Sequence, residues 1–305
     1  MIEIDGVGAA RHSRRLSLCA VALVGTVVAV LTATASKAAA SEPLGSGGGN
    51  ERSAKGPFPF AVNYAALGDS YSSGVGAPPY DLDSACQRSS QSYPALWAAE
   101  HHPASFEFTA CSGAKTADVL DAQISALQPS TDVVTITIGG NDAGFGPVMY
   151  TCTVAKSDRT CAAAVDAAEV FERTELPRRL AHTYTAIRHA APHARVIVLG
   201  YPRLFDLAPS CADPHAPDLA RRIKLNHGAD VLNDVIHQAA SQQSGFSFVD
   251  VRDRFSGHGV CSADPWINGP SVPSPVGPYH PNTGGYRDGY LPALDAETER
   301  GAAAA

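Results

Sequence analysis

The sequence predicts a three-layer α/β/α sandwich on a central parallel sheet of about five strands. Two observations carry this prediction. Short apolar runs alternate along the chain with longer segments of helical pattern. The strongest runs, Val133-Val134-Thr135-Ile136-Thr137-Ile138 and Val196-Ile197-Val198-Leu199, are continuous and rich in β-branched residues. Such runs suit strands covered on both faces, as in a parallel sheet, better than strands with one wet side. In sheets of this kind ligands bind beyond the carboxyl ends of the strands, which says where to look for function.

The chain opens on residues 1–40, which read as an export signal. Arg11, Arg14 and Arg15 precede the apolar run Leu16–Leu31, and small residues follow at Ala33-Thr34-Ala35 and Ala38-Ala39-Ala40. This is the basic, apolar, small-residue order of a cleaved signal peptide and implies secretion. The run is about as long as a short membrane span, so a retained anchor is the competing reading. The Ala-x-Ala sites directly behind it favour cleavage. Ser13-Arg14-Arg15 resembles part of a twin-arginine signal, which leaves the export route open. Residues 41–57 contain Gly45-Ser46-Gly47-Gly48-Gly49, lack a hydrophobic pattern and predict a flexible linker.

The folded domain is expected over 58–296. Its strands are expected at Asn63–Leu67, Phe106–Ala110, Val133–Ile138, Arg195–Leu199 and Phe248–Val251. Helical patterns lie between them at Tyr93–Glu100, Ala117–Leu127, Ala162–Ala191 and Asp218–Gln243. Residues 297–305, which end in a run of alanines, are expected to form a disordered tail.

Composition narrows the function classes. A length of 305 residues allows one sizeable domain, and 45% hydrophobic with 17% charged residues is ordinary for a globular chain. The formal net charge of −7, with no basic stripe outside the N-terminus, argues against a nucleic-acid partner. Of 7 cysteines, Cys19 falls in the export signal and leaves six for the domain. An even number in an exported protein suggests disulfides, and pairing sequence neighbours gives Cys86–Cys111, Cys152–Cys161 and Cys211–Cys261, one of several possible connectivities. Irregular spacings and the lack of a C-x-x-C pair argue against metal.

Three loops carry candidate chemistry. The first strand runs into Gly68-Asp69-Ser70-Tyr71-Ser72-Ser73-Gly74, and the third into Gly139-Gly140-Asn141-Asp142-Ala143-Gly144. Near the C-terminus stands Tyr279-His280-Pro281-Asn282. A serine at a strand end can present its hydroxyl to a ligand, but it is a poor nucleophile without a base in hydrogen-bond reach. A histidine titrates in the right range to take and return that proton.

These loops resemble, in order, the first, third and last sequence blocks of the GDSL (SGNH) hydrolases, and Cys111-Ser112-Gly113-Ala114 resembles the second. The likeness runs from Gly68 to Asn282 and is greatest to secreted actinobacterial lipases and esterases of that family, which share the Ala-Leu-Gly-Asp-Ser-Tyr-Ser-Ser-Gly run and six cysteines. It implies the flavodoxin-like fold of these hydrolases and a carboxylic ester hydrolase that uses no cofactor and no metal. It further implies Ser70 as nucleophile and His280 as base. The oxyanion hole would be the N–H groups of Ser70 and Gly113 with the side-chain amide of Asn141. Such donors stabilise charge where it develops in the transition state.

One position departs from the family pattern. Many members carry aspartate three residues before the histidine, where this chain has Gly277. An aspartate there would hold the imidazole in its working tautomer. The expectation is therefore a Ser–His dyad whose orienting group is the Gly277 backbone carbonyl, with Asp264 as the alternative carboxylate. Asp69 and Asp142 are expected to cap helices or stabilise loops rather than react. His101, His102, His182, His189 and His193 are expected on a solvated surface, Trp97 and Trp266 in the core or a pocket wall.

The sequence thus predicts a secreted, monomeric serine esterase acting on small-molecule or lipid esters, with transient contact with a lipid interface. Phospholipase and short-chain or polysaccharide esterase activities are alternatives. A secreted binding protein on the same fold would be favoured by loss of Ser70 or His280, and both are present.

Overall fold

The computed structural model describes residues 62–304. The expected signal over 1–40, the linker over 41–57 and the first residues of the expected domain lie outside the described residues. Five strands form one parallel sheet: β1 (Asn63–Gly68), β2 (Ser105–Phe108), β3 (Val133–Thr137), β4 (Arg195–Leu199) and β5 (Phe246–Val249). Their order is β2-β1-β3-β4-β5, so the chain reverses its direction of winding between β1 and β3. That switch opens a crevice at the carboxyl ends of these two strands. The continuous run of β3 is buried at every position, as its composition requires.

The helices are α1 (Ser70–Ser73), α2 (Tyr93–His101), α3 (Thr116–Asp118), α4 (Phe145–Val154), α5 (Asp158–Thr174), α6 (Leu176–Ala190), α7 (Leu219–Ser241) and α8 (Leu291–Ala304). Two packed groups flank the sheet: α2 against α8, and α5, α6 and α7 against one another. The hydrophobic core joins both groups to the strands, with Trp97 and Tyr64 in edge contact on one side and Leu176, Leu180 and Ile236 fully buried elsewhere. Among the described residues no helix is long and apolar enough to cross a membrane.

Several expected elements shift. The helix expected over Ala162–Ala191 starts earlier and is two helices, α5 and α6, parted at Glu175. Pro177 in the first turn of α6 explains the break, because proline lacks an N–H and collides with the preceding turn. The segment expected as a helix over Ala117–Leu127 is α3 followed by a wide turn, Val119–Gln123, and a tight turn, Ile124–Ala126. The second strand is Ser105–Phe108 and the fifth is Phe246–Val249, each placed earlier than expected.

The C-terminal expectation needs correction. The chain forms a wide turn, Gly285–Tyr290, and then α8, which continues past 296 to Ala304. Glu297 and Thr298 are buried. Arg195, at the start of β4, donates to the Glu297 carbonyl at 2.5 Å, its carboxylate at 2.6 Å and the Thr298 carbonyl at 3.2 Å. Residues 297 and 298 therefore belong to the domain, because a charged strand residue is satisfied by them. Among the described residues the disulfides are Cys86–Cys111, Cys152–Cys161 and Cys211–Cys261.

Candidate active site

The site forms where β1 ends. Gly68 has φ 122°, and a β-carbon there would fall 2.4 Å from the Thr137 carbonyl oxygen of β3, so glycine alone fits this crossing. Asp69 then caps α1: its backbone N–H donates to the Thr137 carbonyl at 2.9 Å, and its Oδ1 accepts the Tyr71 N–H at 2.9 Å. The cap turns the chain so that Ser70 begins α1 at the mouth of the crevice.

Ser70 and His280 meet. His280 Nε2 lies 2.8 Å from Ser70 Oγ, across 210 positions of sequence. Both residues are nearly buried, at 5% and 7% residual exposure, which limits competition from water for that bond. Burial pushes the His280 imidazole down to about 4, against an upward pull from the Pro278 and Val276 carbonyls. Its ring lies against Tyr71 and Phe145, with centroids 5.0 and 5.8 Å away.

The orienting group differs from expectation. His280 Nδ1 is 3.0 Å from the carbonyl oxygen of Pro278, whereas the Gly277 carbonyl accepts the backbone N–H of His280 at 3.3 Å. The physical reason is the left-handed turn at Tyr279, φ 62°, which swings the Pro278 carbonyl onto the ring and leaves that of Gly277 to close the turn. An acceptor-only carbonyl at Nδ1 places the proton there and leaves Nε2 free to accept from Ser70. Asp264 does not reach this ring; its Oδ2 lies 3.4 Å from Nδ1 of His258.

Ser70, Gly113, Asn141 and His280 line one cleft. Among the described residues, the N–H groups of Ser70 and Gly113 have no protein acceptor. Gly113 has φ 81° with open space where a β-carbon would go, so the backbone conformation rather than crowding demands glycine. Asn141 Nδ2 donates one hydrogen to the Ala114 carbonyl at 3.1 Å, which fixes the direction of the amide. Asp142 holds the same two loops together, accepting the Thr116 N–H at 2.9 Å and its hydroxyl at 2.7 Å. Donors of this kind, on residues lining one cleft with a serine–histidine pair, are the type of group that stabilises a tetrahedral oxyanion.

The rest of the cleft was harder to read in the sequence. Residues 268–278, dense in glycine and proline, supply Pro270, Pro275, Val276 and Pro278 to its wall. The opposite wall comes from α4, a helix the sequence reading missed. Its sequence, FGPVMYTCTV, carries no charge and no polar stripe, so it lacks the amphipathic signal. Two tyrosines were also missed. Tyr71 Oη donates to the Tyr279 carbonyl at 2.6 Å. Tyr201 Oη donates to Asp69 Oδ2 at 2.5 Å and accepts the Gly140 N–H at 3.0 Å, joining the loops after β1 and β3. Burial pushes the Asp69 carboxyl up to about 7, offset in part by the Tyr201 and Tyr71 bonds.

Among the described residues one group, Glu100, His101 and Asp295, brings metal-capable donor atoms within 4.8 Å of one another. None of the three lines the cleft, and His101 Nε2 is already bonded to Asp295 at 2.8 Å. His182, His189 and His193 are exposed.

Comparison with known proteins shows the family of the chain. The model of the GDSL-like lipase/acylhydrolase family matches residues 66–287. A lipase from Streptomyces rimosus is 48% identical over 240 residues, covering 78% of this chain and 87% of the relative. The crystal structure of phospholipase A1 from Streptomyces albidoflavus NA297 superposes with a TM-score of 0.74 at 45% identity, covering 78% of this chain and 99% of that one. That of an extracellular lipase from Streptomyces rimosus gives 0.73 at 46% identity, covering 77% and 99%.

Proposed function

The chain belongs to the GDSL-like lipase/acylhydrolase family and is a carboxylic ester hydrolase, and from that premise we propose that it cleaves lipid acyl esters through an acyl-enzyme on Ser70. The observation that carries the assignment is the 2.8 Å approach of His280 Nε2 to Ser70 Oγ. Nε2 takes the hydroxyl proton as Oγ attacks the ester carbonyl carbon. The resulting oxyanion is held by the N–H groups of Ser70 and Gly113 and by Asn141 Nδ2. His280 then passes its proton to the leaving alcohol. Water, activated by the same imidazole, attacks the acyl-enzyme and releases the carboxylic acid.

The Pro278 carbonyl takes the place of a triad carboxylate. It sets the tautomer and stabilises the imidazolium as a dipole, without a full charge. The name of the albidoflavus relative, a phospholipase A1, supports phospholipid acyl esters as a second reading.

Secretion after signal cleavage is supported by the N-terminal order of residues, by the disulfides and by the extracellular relative. Transient contact at a lipid interface is supported by Tyr150, which lines the cleft and is 70% exposed, and by Val154 of the same helix, 55% exposed. The experiment is hydrolysis of p-nitrophenyl esters and of phospholipid by the wild type and by Ser70→Ala. The variant is expected to lose about six orders of magnitude in kcat. Equal rates in both proteins would end the assignment.

A further inference from the structure

A second chamber, of ≈ 70 Å³, lies behind the catalytic cleft. Phe145 and Met149 of α4 line both spaces and so form the partition between them. Tyr71 and Gly140, neighbours in sequence of Ser70 and Asn141, border the chamber. Much of the remaining wall is aliphatic, with Val165 from α5 and Leu225 and Leu232 from α7. Gly228 lets these two helices approach, since a β-carbon there would meet Val165 Cγ1 at 3.0 Å.

One acidic residue stands in this largely apolar wall. Glu172 lines the chamber, is 4% exposed, and its Oε2 has no hydrogen-bond partner. Its helix position makes the burial unavoidable. Cys161, Val165, Ala168 and Glu172 fall on the stripe that α5 turns inward, where an aliphatic side chain would be the ordinary choice. A carboxyl left unpartnered in such a place is costly, so a ligand that supplies its partner gains what the empty chamber lacks. Burial and the nearby Glu169 push this carboxyl up to about 7, against Arg173 and Lys224, which leaves a large neutral fraction near neutral pH. A neutral carboxyl both donates and accepts.

We propose that this chamber receives the acyl tail of the ester, and that Glu172 selects tails ending in a hydroxyl over plain alkyl tails. The proposal rests on the ester-hydrolase reading of the Ser70 site. A tail enters when Phe145 and Met149 turn aside, and the unbranched methionine is suited to yielding. Its methylenes pack on the aliphatic wall, and its terminal hydroxyl takes up the bond that Glu172 lacks. A plain tail of the same length leaves that carboxyl unpartnered.

The test compares p-nitrophenyl alkanoates from acetate to hexadecanoate with their terminally hydroxylated counterparts. The wild type is expected to prefer the hydroxy ester by about tenfold in kcat/KM at the chain length that reaches Glu172, and at no shorter one. Glu172→Leu is expected to abolish that preference and Glu172→Gln to retain part of it, with acetate hydrolysis unchanged in both. Ala168→Phe, which fills the chamber, is expected to depress long esters and spare acetate. No hydroxy preference at any length, or one that survives in Glu172→Leu, overturns the proposal. Failure to cleave even acetate in a Ser70-dependent way would instead overturn the ester-hydrolase reading, and the proposal with it.

Discussion

Tyr71 Oη donates to the carbonyl oxygen of Tyr279 across 2.6 Å, tying the residue after Ser70 to the residue before His280. The second tyrosine sits in the left-handed region, φ 62°, which side chains other than glycine rarely adopt. Its own hydroxyl is bonded to Thr153 Oγ1 at 2.7 Å. Two hydrogen bonds thus hold the turn that aims the imidazole.

Tyr71→Phe removes the first of them while keeping the ring against His280. We expect kcat for short esters to fall about tenfold, equivalent to ~1.4 kcal/mol, with KM little changed. Steady-state kinetics checks it. A rise in KM at constant kcat would show that the bond serves substrate binding instead.

Asp264→Ala should leave kcat within about twofold of wild type, because Asp264 is a largely exposed partner of His258 rather than of His280. A loss as deep as that of His280→Ala, in a folded protein, would return the orienting role to a carboxylate.

The acid limb of kcat/KM should lie well below the ordinary imidazole range. Only neutral His280 accepts the Ser70 proton. Burial lowers its value to about 4, so the active neutral form persists as pH falls and is lost only near that value. A midpoint at or above 6.5 in a pH–rate profile would contradict this.

The disulfides should separate activity from stability. Ser112 N–H donates to the Cys86 carbonyl at 3.0 Å, so the Cys86–Cys111 bridge tethers the loop that carries Gly113. Replacing both of these cysteines with alanine should lower kcat by about tenfold or more as that donor loosens. The Cys211–Cys261 bridge spans a sequence separation of 50, twice the 25 of the first. Its removal should cost the larger share of stability, about 4 kcal/mol in calorimetry. An equal loss for both would argue against loop length as the cause.

By itself, the sequence determined the sheet and pointed to the candidate nucleophile, base and donors. The runs at β3 and β4 were legible because a strand buried on both faces must be apolar at every position. Gly68, Ser70, Asn141 and His280 were legible because each requires one residue type at a strand end or loop. Pro177, which parts α5 from α6, is equally visible, but the helical pattern on either side of it masks the break.

Only the tertiary structure decided which carbonyl meets His280. Every residue owns a carbonyl, so its direction depends on the backbone angles at Tyr279, and those are held by hydrogen bonds from distant Tyr71 and Thr153. It likewise decided that α4 forms a wall, that Glu172 is enclosed in a chamber, and that residues 297–298 pack on Arg195. Periodicity and turn chemistry act between near neighbours and are written along the chain. Contacts between segments far apart in sequence exist only once the whole core has closed around them.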